Sequence, residues 1–162
     1  MEKKKCIITL TNSQSKRLIA RAVASLPEVE KAFRQGIIGL PLCSTNTYVY
    51  EELTGTEMED RESYYCGLIK ETGYCANLNG IRTEVVFVEG EERQIKFPEE
   101  SLADYAPGMN HSDIVIKSGN ILDSNGKAGV LAGQADGGEY GKIMPYLLGK
   151  GIMIIKQKQV NK

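Results

Sequence analysis

The chain has 162 residues, 41% apolar and 25% charged, with a formal net charge of -1, the balance of an ordinary soluble globular protein. Such a length suits a single α/β domain over residues 1–162, able to bury about 70% of its unfolded surface without disulfide or metal staples. Charge gives no support to nucleic-acid binding, because the lysine clusters Lys3 to Lys5 and Lys156 to Lys162 sit at the termini, where basic tails are usually solvated; no run reaches the ~18 apolar residues of a membrane span.

Met1-Glu2-Lys3-Lys4-Lys5-Cys6 leads into an apolar run too brief for a signal-peptide core, so a cytoplasmic protein is expected. Lys5 to Leu10 predicts a strand. Thr11, Asn12 and Ser13 then supply N-cap residues for a helix with Leu18, Ile19, Ala22, Val23 and Leu26 on its inner face. Pro27 opens a second helix, Glu28 and Glu30 favour its positive end, and Gly36 closes it in a left-handed conformation. Ile37-Ile38-Gly39-Leu40 predicts a strand buried on both faces.

Ser44, Thr45 and Asn46 then precede a helix through Tyr48, Val49 and Leu53 that Gly55 ends. Backbone N–H groups at such a helix start bind phosphate or carboxylate, and hydroxyls add donors; simple capping explains the same residues. From Thr56 to Asn79 the signals weaken: Glu57 to Glu62 reads as a solvated acidic face, and Tyr64 to Ile69 as a strand or a helical turn. Thr83 to Val88 and Arg93 to Phe97 predict paired strands about a glycine turn, and Pro98 opens a short helix to about Tyr105.

The four cysteines, Cys6, Cys43, Cys66 and Cys75, match no CxxC pattern and read as reduced thiols. Cys43 stands apart, because a helix start beside it can lower a thiol pKa. His111 is the only histidine, which rules out a multi-histidine metal site within one chain; beside Asp113 it can serve as acid or base, though a lone histidine there is more often a surface residue. No metal and no cofactor is expected.

The organising stretch runs from Asp113 to Gly141. A strand over Asp113 to Lys117 is followed by the polar bend Ser118-Gly119-Asn120, the turn Asp123-Ser124-Asn125-Gly126 and the segment Gly133 to Gly141. In open α/β proteins, ligands are held at the ends of such strands, ahead of a helix. A helix over Tyr140 to Leu148, with Ile143, Leu147 and Leu148 inward, and a strand Ile152 to Ile155 complete the chain. Strands alternating with helices predict a three-layer α/β domain with a largely parallel sheet and an added strand pair.

Ile37-Ile38-Gly39-Leu40-Pro41-Leu42-Cys43-Ser44-Thr45-Asn46 resembles the strand and small polar loop of the type A ribose-5-phosphate isomerases. Asp113 to Asp123 resembles their second signature, and Gly133 to Gly141 their following glycine-rich loop. The resemblance extends to the superfamily of sugar-phosphate isomerases, glucosamine-6-phosphate deaminases and CoA-transferases, and implies a Rossmann-like fold. Lys117, Asn120 and Ile121 stand where the isomerase pattern has acidic residues, so Asp123 and Glu139 are the carboxylates left in the matching region.

Two site readings follow. In a binding or sensing module, Ser44, Thr45, Asn46, Ser118, Gly119, Asn120, Gly137 and Gly138 hold a small anionic metabolite, a sugar phosphate or CoA-type ligand. In a divergent isomerase or transferase, Glu139 or Asp123 is the general base and Lys117 the electrostatic stabiliser. A third reading makes Tyr48, Tyr50, Tyr64 and Tyr65 an assembly surface, and a homo-oligomer is compatible with all three. Gly137 and Gly138 have a purely structural reading as well, a tight turn before the helix.

Overall fold

The computed structural model describes residues 7–65, 67–70, 73–77, 80–81, 84–95 and 99–157. In chain order the elements are α1 (Asn12–Ala24), α2 (Pro27–Gln35), β1 (Ile37–Pro41), α3 (Asn46–Thr54), a 3-10 turn (Glu62–Tyr64), β2 (Gly67–Lys70), β3 (Gly73–Ala76), β4 (Glu84–Val88), β5 (Glu91–Ile95), α4 (Leu102–Tyr105), β6 (Ile114–Ser118), β7 (Ile121–Leu122), β8 (Ala128–Gly129), α5 (Gly138–Lys150) and β9 (Met153–Gln157). The five-stranded sheet has the order β5-β4-β1-β6-β9. It is mixed rather than largely parallel: β1 pairs parallel with β6 and β6 with β9, whereas β4 runs antiparallel to both β1 and β5. The expected strand pair of the middle segment is therefore not an appendage but one flank of the main sheet. A separate antiparallel pair, β2 with β3, comes from the segment whose signals were weakest.

Alternation along the strands sends successive side chains to opposite faces and feeds two apolar clusters. Ile38, Leu40, Val85, Phe87, Ile114 and Ile116 meet α1, α2 and α3 through Ala20, Val23, Val29, Ala32 and Val49. Val86, Ile95 and Val115 meet α4 and α5 through Leu102, Ile143 and Leu147. Gly39 lies at the second contact, where an added Cβ would come within 2.6 Å of Leu102 Cδ1.

Local signals set several boundaries. Thr11 caps α1 in a capping box with Gln14, Pro27 starts α2, and Gly55 ends α3 in the left-handed region at φ 70°. Other expectations need correction. Ile7 to Leu10 form no strand, and Ile7 is 96% exposed, because β-propensity expresses fit to a half-buried pleated surface and all four residues are exposed; Lys5 and Cys6 lie outside the described residues. Gly36 is extended at φ -146°, not left-handed. It is needed for space, since a Cβ there would lie 2.8 Å from Asp113 Oδ1. Leu18 is exposed and Ala20 faces inward instead, and Leu148 is 72% exposed on the outer side of α5. α4 begins at Leu102 behind a Ser101–Asp104 capping box, later than expected; Pro98, Thr83 and Phe97 lie outside the described residues. Among the described residues, no helix is long and apolar enough to cross a membrane.

Candidate functional site

The three parallel strands β1, β6 and β9 end at Pro41, Ser118 and Gln157, and one side chain ties those ends together. Asn46, fully buried, donates from Nδ2 to Pro41 O at 2.7 Å and Ile116 O at 2.9 Å. Its Oδ1 accepts from Ser118 Oγ at 3.5 Å and from Gln157 Nε2. Asn46 can do this because it opens α3 directly after the β1 loop, a position where a short amide reaches back to strand carbonyls. In front of it, Cys43 Sγ lies 3.1 Å from Ser118 Oγ, either atom able to donate.

α3 starts without a side-chain cap: Thr45 occupies the N-cap position but makes no capping hydrogen bond. Of the first-turn N–H groups of α3, Thr47 donates to Cys43 O at 3.0 Å and Tyr48 to Thr45 O at 3.1 Å, so this end is marked by the partial positive charge of the helix dipole rather than by a set of free donors. Lys16, half-buried on α1, adds a full charge. Burial lowers its pKa from 10.5, and the negative charge of a Cys43 thiolate acts in the opposite direction. Its Nζ sits 5.6 Å from the ring centroid of Tyr65, whose phenol is pushed up to about 12 by burial, with Tyr48 and Glu62 adding to it. Two buried oxygens nearby lack a partner, Thr47 Oγ1 and Gln157 Oε1. Native structures leave few such atoms unsatisfied.

α1 is held in place by ion pairs to α3. Arg17 binds Glu51 and Glu52, and Arg61 binds Glu51 from the other side. The Arg17 and Arg61 guanidiniums lie 4.7 and 5.0 Å from the Tyr48 ring centroid, within cation–π range.

The residues singled out in the sequence fall into three groups. Cys43, Ser44, Thr45, Asn46 and Ser118 converge at the strand ends, although the Asn46 amide is committed to internal hydrogen bonds. Gly119 and Asn120 support the adjoining β7–β8 hairpin: Gly119 N donates to Gln157 O at 2.8 Å, and Asn120 Oδ1 accepts from Leu131 N at 2.9 Å. Asp123 shapes the exposed tip of that hairpin, accepting from Asn125 N and Lys127 N. The third group is the start of α5. Gly137 and Gly138 have φ of 78° and 61°, the backbone of a tight turn, and Glu139 pairs with Lys142 one turn on. Lys156 Nζ lies 5.8 Å from the Tyr140 ring, so α5 begins at the same end of the sheet. Lys117 alternates with Ser118 along β6 and so belongs to the α5 side of the sheet, away from Cys43.

Lys16 and Gln157 were not foreseen. Lys16 carries no local signal, being one cation on an amphipathic helix; Gln157 was discoverable, since it lies at the end of the last strand. A cavity of about 430 Å³ lies beyond Leu42, lined by Tyr50, Tyr64 and Val85 and by the carboxylates Glu57, Glu59, Asp60 and Glu92. Tyr50 Oη donates to Glu92 at 2.7 Å, and burial together with that carboxylate pushes its phenol up to about 12. The cavity does not include Ser44, Thr45 or Ser118, and its acidic lining repels anions. No protein-family model matches the chain, and neither the curated proteins nor the solved structures contain a match to it.

Proposed function

We propose that this chain is a binding or sensing module for a small anionic metabolite, of sugar-phosphate or CoA type, seated at the ends of β1, β6 and β9 on a three-layer Rossmann-like domain. The observation that carries the reading is the start of α3, which has no side-chain cap and turns its positive dipole end toward the β1 loop, with half-buried Lys16 in electrostatic range of Cys43 in that loop. The positive end of a helix and a cation together suit a phosphate or carboxylate. Ser44 lies in the loop before α3 and Thr45 at its N-cap position, and Gln157, whose Nε2 is bound to Asn46, leaves its buried Oε1 without a donor. Binding is favoured over turnover because the carboxylates expected as bases have other duties: Asp123 organises an exposed turn and Glu139 is paired with Lys142.

The test is a thermal-shift screen of sugar phosphates, CoA esters, nucleotides and small carboxylates against the wild type, Lys16→Met and Lys117→Ala. A ligand at about a hundred times its Kd should add roughly 2.7 kcal/mol of stability. The expected result is a shift in the wild type and in Lys117→Ala that is lost in Lys16→Met. No shift with any anion in well-folded wild-type protein, or a shift that survives in Lys16→Met, overturns the reading.

A further inference from the structure

We infer that the cavity beyond Leu42 is a second binding site, which takes an organic cation: a protonated amine carried on an apolar body. It is a different place from the anion position at the start of α3, and neither reading depends on the other. The cavity has a volume of about 430 Å³, within the range of small-molecule sites. It is built from parts of the chain that only the fold brings together: Leu42 beyond β1, Tyr50 of α3, residues 56–60 with the 3-10 turn after them, Val85 of β4 and Glu92 of β5.

Its lining divides by chemistry. Leu42 and Val85 are buried members of the first apolar cluster, and Tyr50, Met58 and Tyr64 pack against that cluster, so the floor of the cavity continues the core. An apolar body seated there leaves water, at about 25 cal/mol per Å² of surface removed. Tyr50 and Tyr64 also bring two aromatic rings to the lining, and the face of such a ring attracts a cation. The exposed carboxylates Glu57, Glu59 and Asp60 form the rim with half-buried Glu92. Among the described residues, no lysine or arginine lines the cavity to neutralise them.

The carboxylates are not equivalent. Glu57 is paired at 3.1 Å with Arg61, and Asp60 accepts the Glu62 and Ser63 N–H groups; Glu59 forms no ion pair among the described residues. Glu92 is the anchor, because it is half-buried and its orientation is set by Tyr50 Oη, which donates to it at 2.7 Å. The Tyr50 phenol, pushed up to about 12 by burial and by Glu92 itself, stays protonated at neutral pH and keeps that bond. A hydrogen bond to the charged form of a carboxyl favours its ionisation. The four groups surround the cavity without converging: among the described residues, no three of His, Cys, Asp or Glu stand close enough to hold a metal ion. Negative charge spread round an apolar and aromatic floor fits an ammonium with a hydrocarbon body, not a bare divalent ion that needs six or more oxygens.

The experiment titrates the full-length chain at pH 7 with three compounds that share a phenylethyl body and differ in charge: phenethylamine, 2-phenylethanol and 3-phenylpropanoate. Spermidine, a cation without a compact apolar body, is the fourth probe. Calorimetric titration gives each Kd in the wild type, Glu92→Gln and Glu59→Gln; Glu92→Gln keeps the side-chain shape and an acceptor for Tyr50, and its Tm confirms that it folds. The expected result is that phenethylamine binds about tenfold more tightly than the alcohol, the scale of a hydrogen bond to a charged group, and that the carboxylate does not bind. Glu92→Gln should remove most of that tenfold preference and leave the affinity for the alcohol unchanged, with a smaller loss in Glu59→Gln. Equal affinity for amine and alcohol, spermidine binding as tightly as phenethylamine, a preference untouched by Glu92→Gln, or no binding of phenethylamine to folded protein each overturns the inference. The anion screen on the same preparation keeps the two sites apart: an anion shift lost in Lys16→Met without any amine binding defeats the cation site alone.

Discussion

At the scale of single residues, Asn46 explains how three strand ends and a helix start share one geometry. Its amide offers two donors and an acceptor with two lone pairs, and all are used inside the protein. Replacing it with alanine leaves the Pro41 and Ile116 carbonyls and the Gln157 amide without that partner in a place closed to water. Each orphaned buried group costs about 1–3 kcal/mol, partly relieved by relaxation, so Asn46→Ala should lose roughly 3 kcal/mol of unfolding free energy. Urea denaturation at neutral pH measures it; a loss under about 1 kcal/mol would show that the strand ends are held by the sheet alone. This residue also marks where sequence reading stops. Small polar residues after a strand are legible as a helix start, but ligand donors and internal ties look alike until the partner carbonyls, 5 and 70 positions away, are brought together.

At the scale of elements, the clamp between α1 and α3 depends on Glu51. Burial alone would raise its pKa, but the Met58 N–H, Arg61 and Arg17 outweigh that and bring it below 4.5. A carboxyl depressed in the folded state binds fewer protons there than in the unfolded chain. Its contribution is therefore complete above about pH 4.5 and is lost as pH falls through the lower folded value. Glu51→Gln should cost on the order of 2 kcal/mol at pH 7, the range of hydrogen bonds to charged groups, and unfolding curves at descending pH should show wild type and variant converging. A gap that stays constant down to pH 3 would mean that the carboxylate charge plays no part in the clamp. The start of α5 is the other element that a single atom decides. A Cβ at Gly141 would lie 1.8 Å from Asp136 O, which is backbone and cannot swing aside. Gly141→Ala should thus cost about 3 kcal/mol by forcing the turn open, measurable by thermal unfolding, and an unchanged Tm would require a different helix start. The glycines of this segment serve the backbone first, as the tight-turn reading of Gly137 and Gly138 anticipates.

At the scale of the molecule, the boundaries set by local chemistry were readable and the side-to-side arrangement was not. Pro27, Glu28 and Glu30 announce α2, and Thr11 announces α1, because caps and first-turn charges act within a few residues. Nothing local says that β4 lies antiparallel between β1 and β5, or that Arg17 of α1 binds Glu51 and Glu52 of α3; both are contacts between distant parts of the chain. The resulting asymmetry is electrostatic. The flank where β1, β6 and β9 run parallel meets the positive end of α3, with half-buried Lys16 on the neighbouring α1, whereas the cavity reaching the β4–β5 flank is lined by Glu57, Glu59, Asp60 and Glu92. An anion choosing between them meets attraction at one and repulsion at the other, so its footprint should be one-sided. Hydrogen exchange with a saturating anion from the screen should slow in 43–48, 116–119 and 155–157, whose amides lie at the strand ends and the α3 start. The amides of 84–95 should change only by the shared gain in global stability, which appears solely in those that exchange through complete unfolding. Protection centred on 84–95 would move the ligand to the cavity and remove Lys16 from its recognition, and uniform protection over both flanks would mean that the anion stabilises the fold without a defined seat.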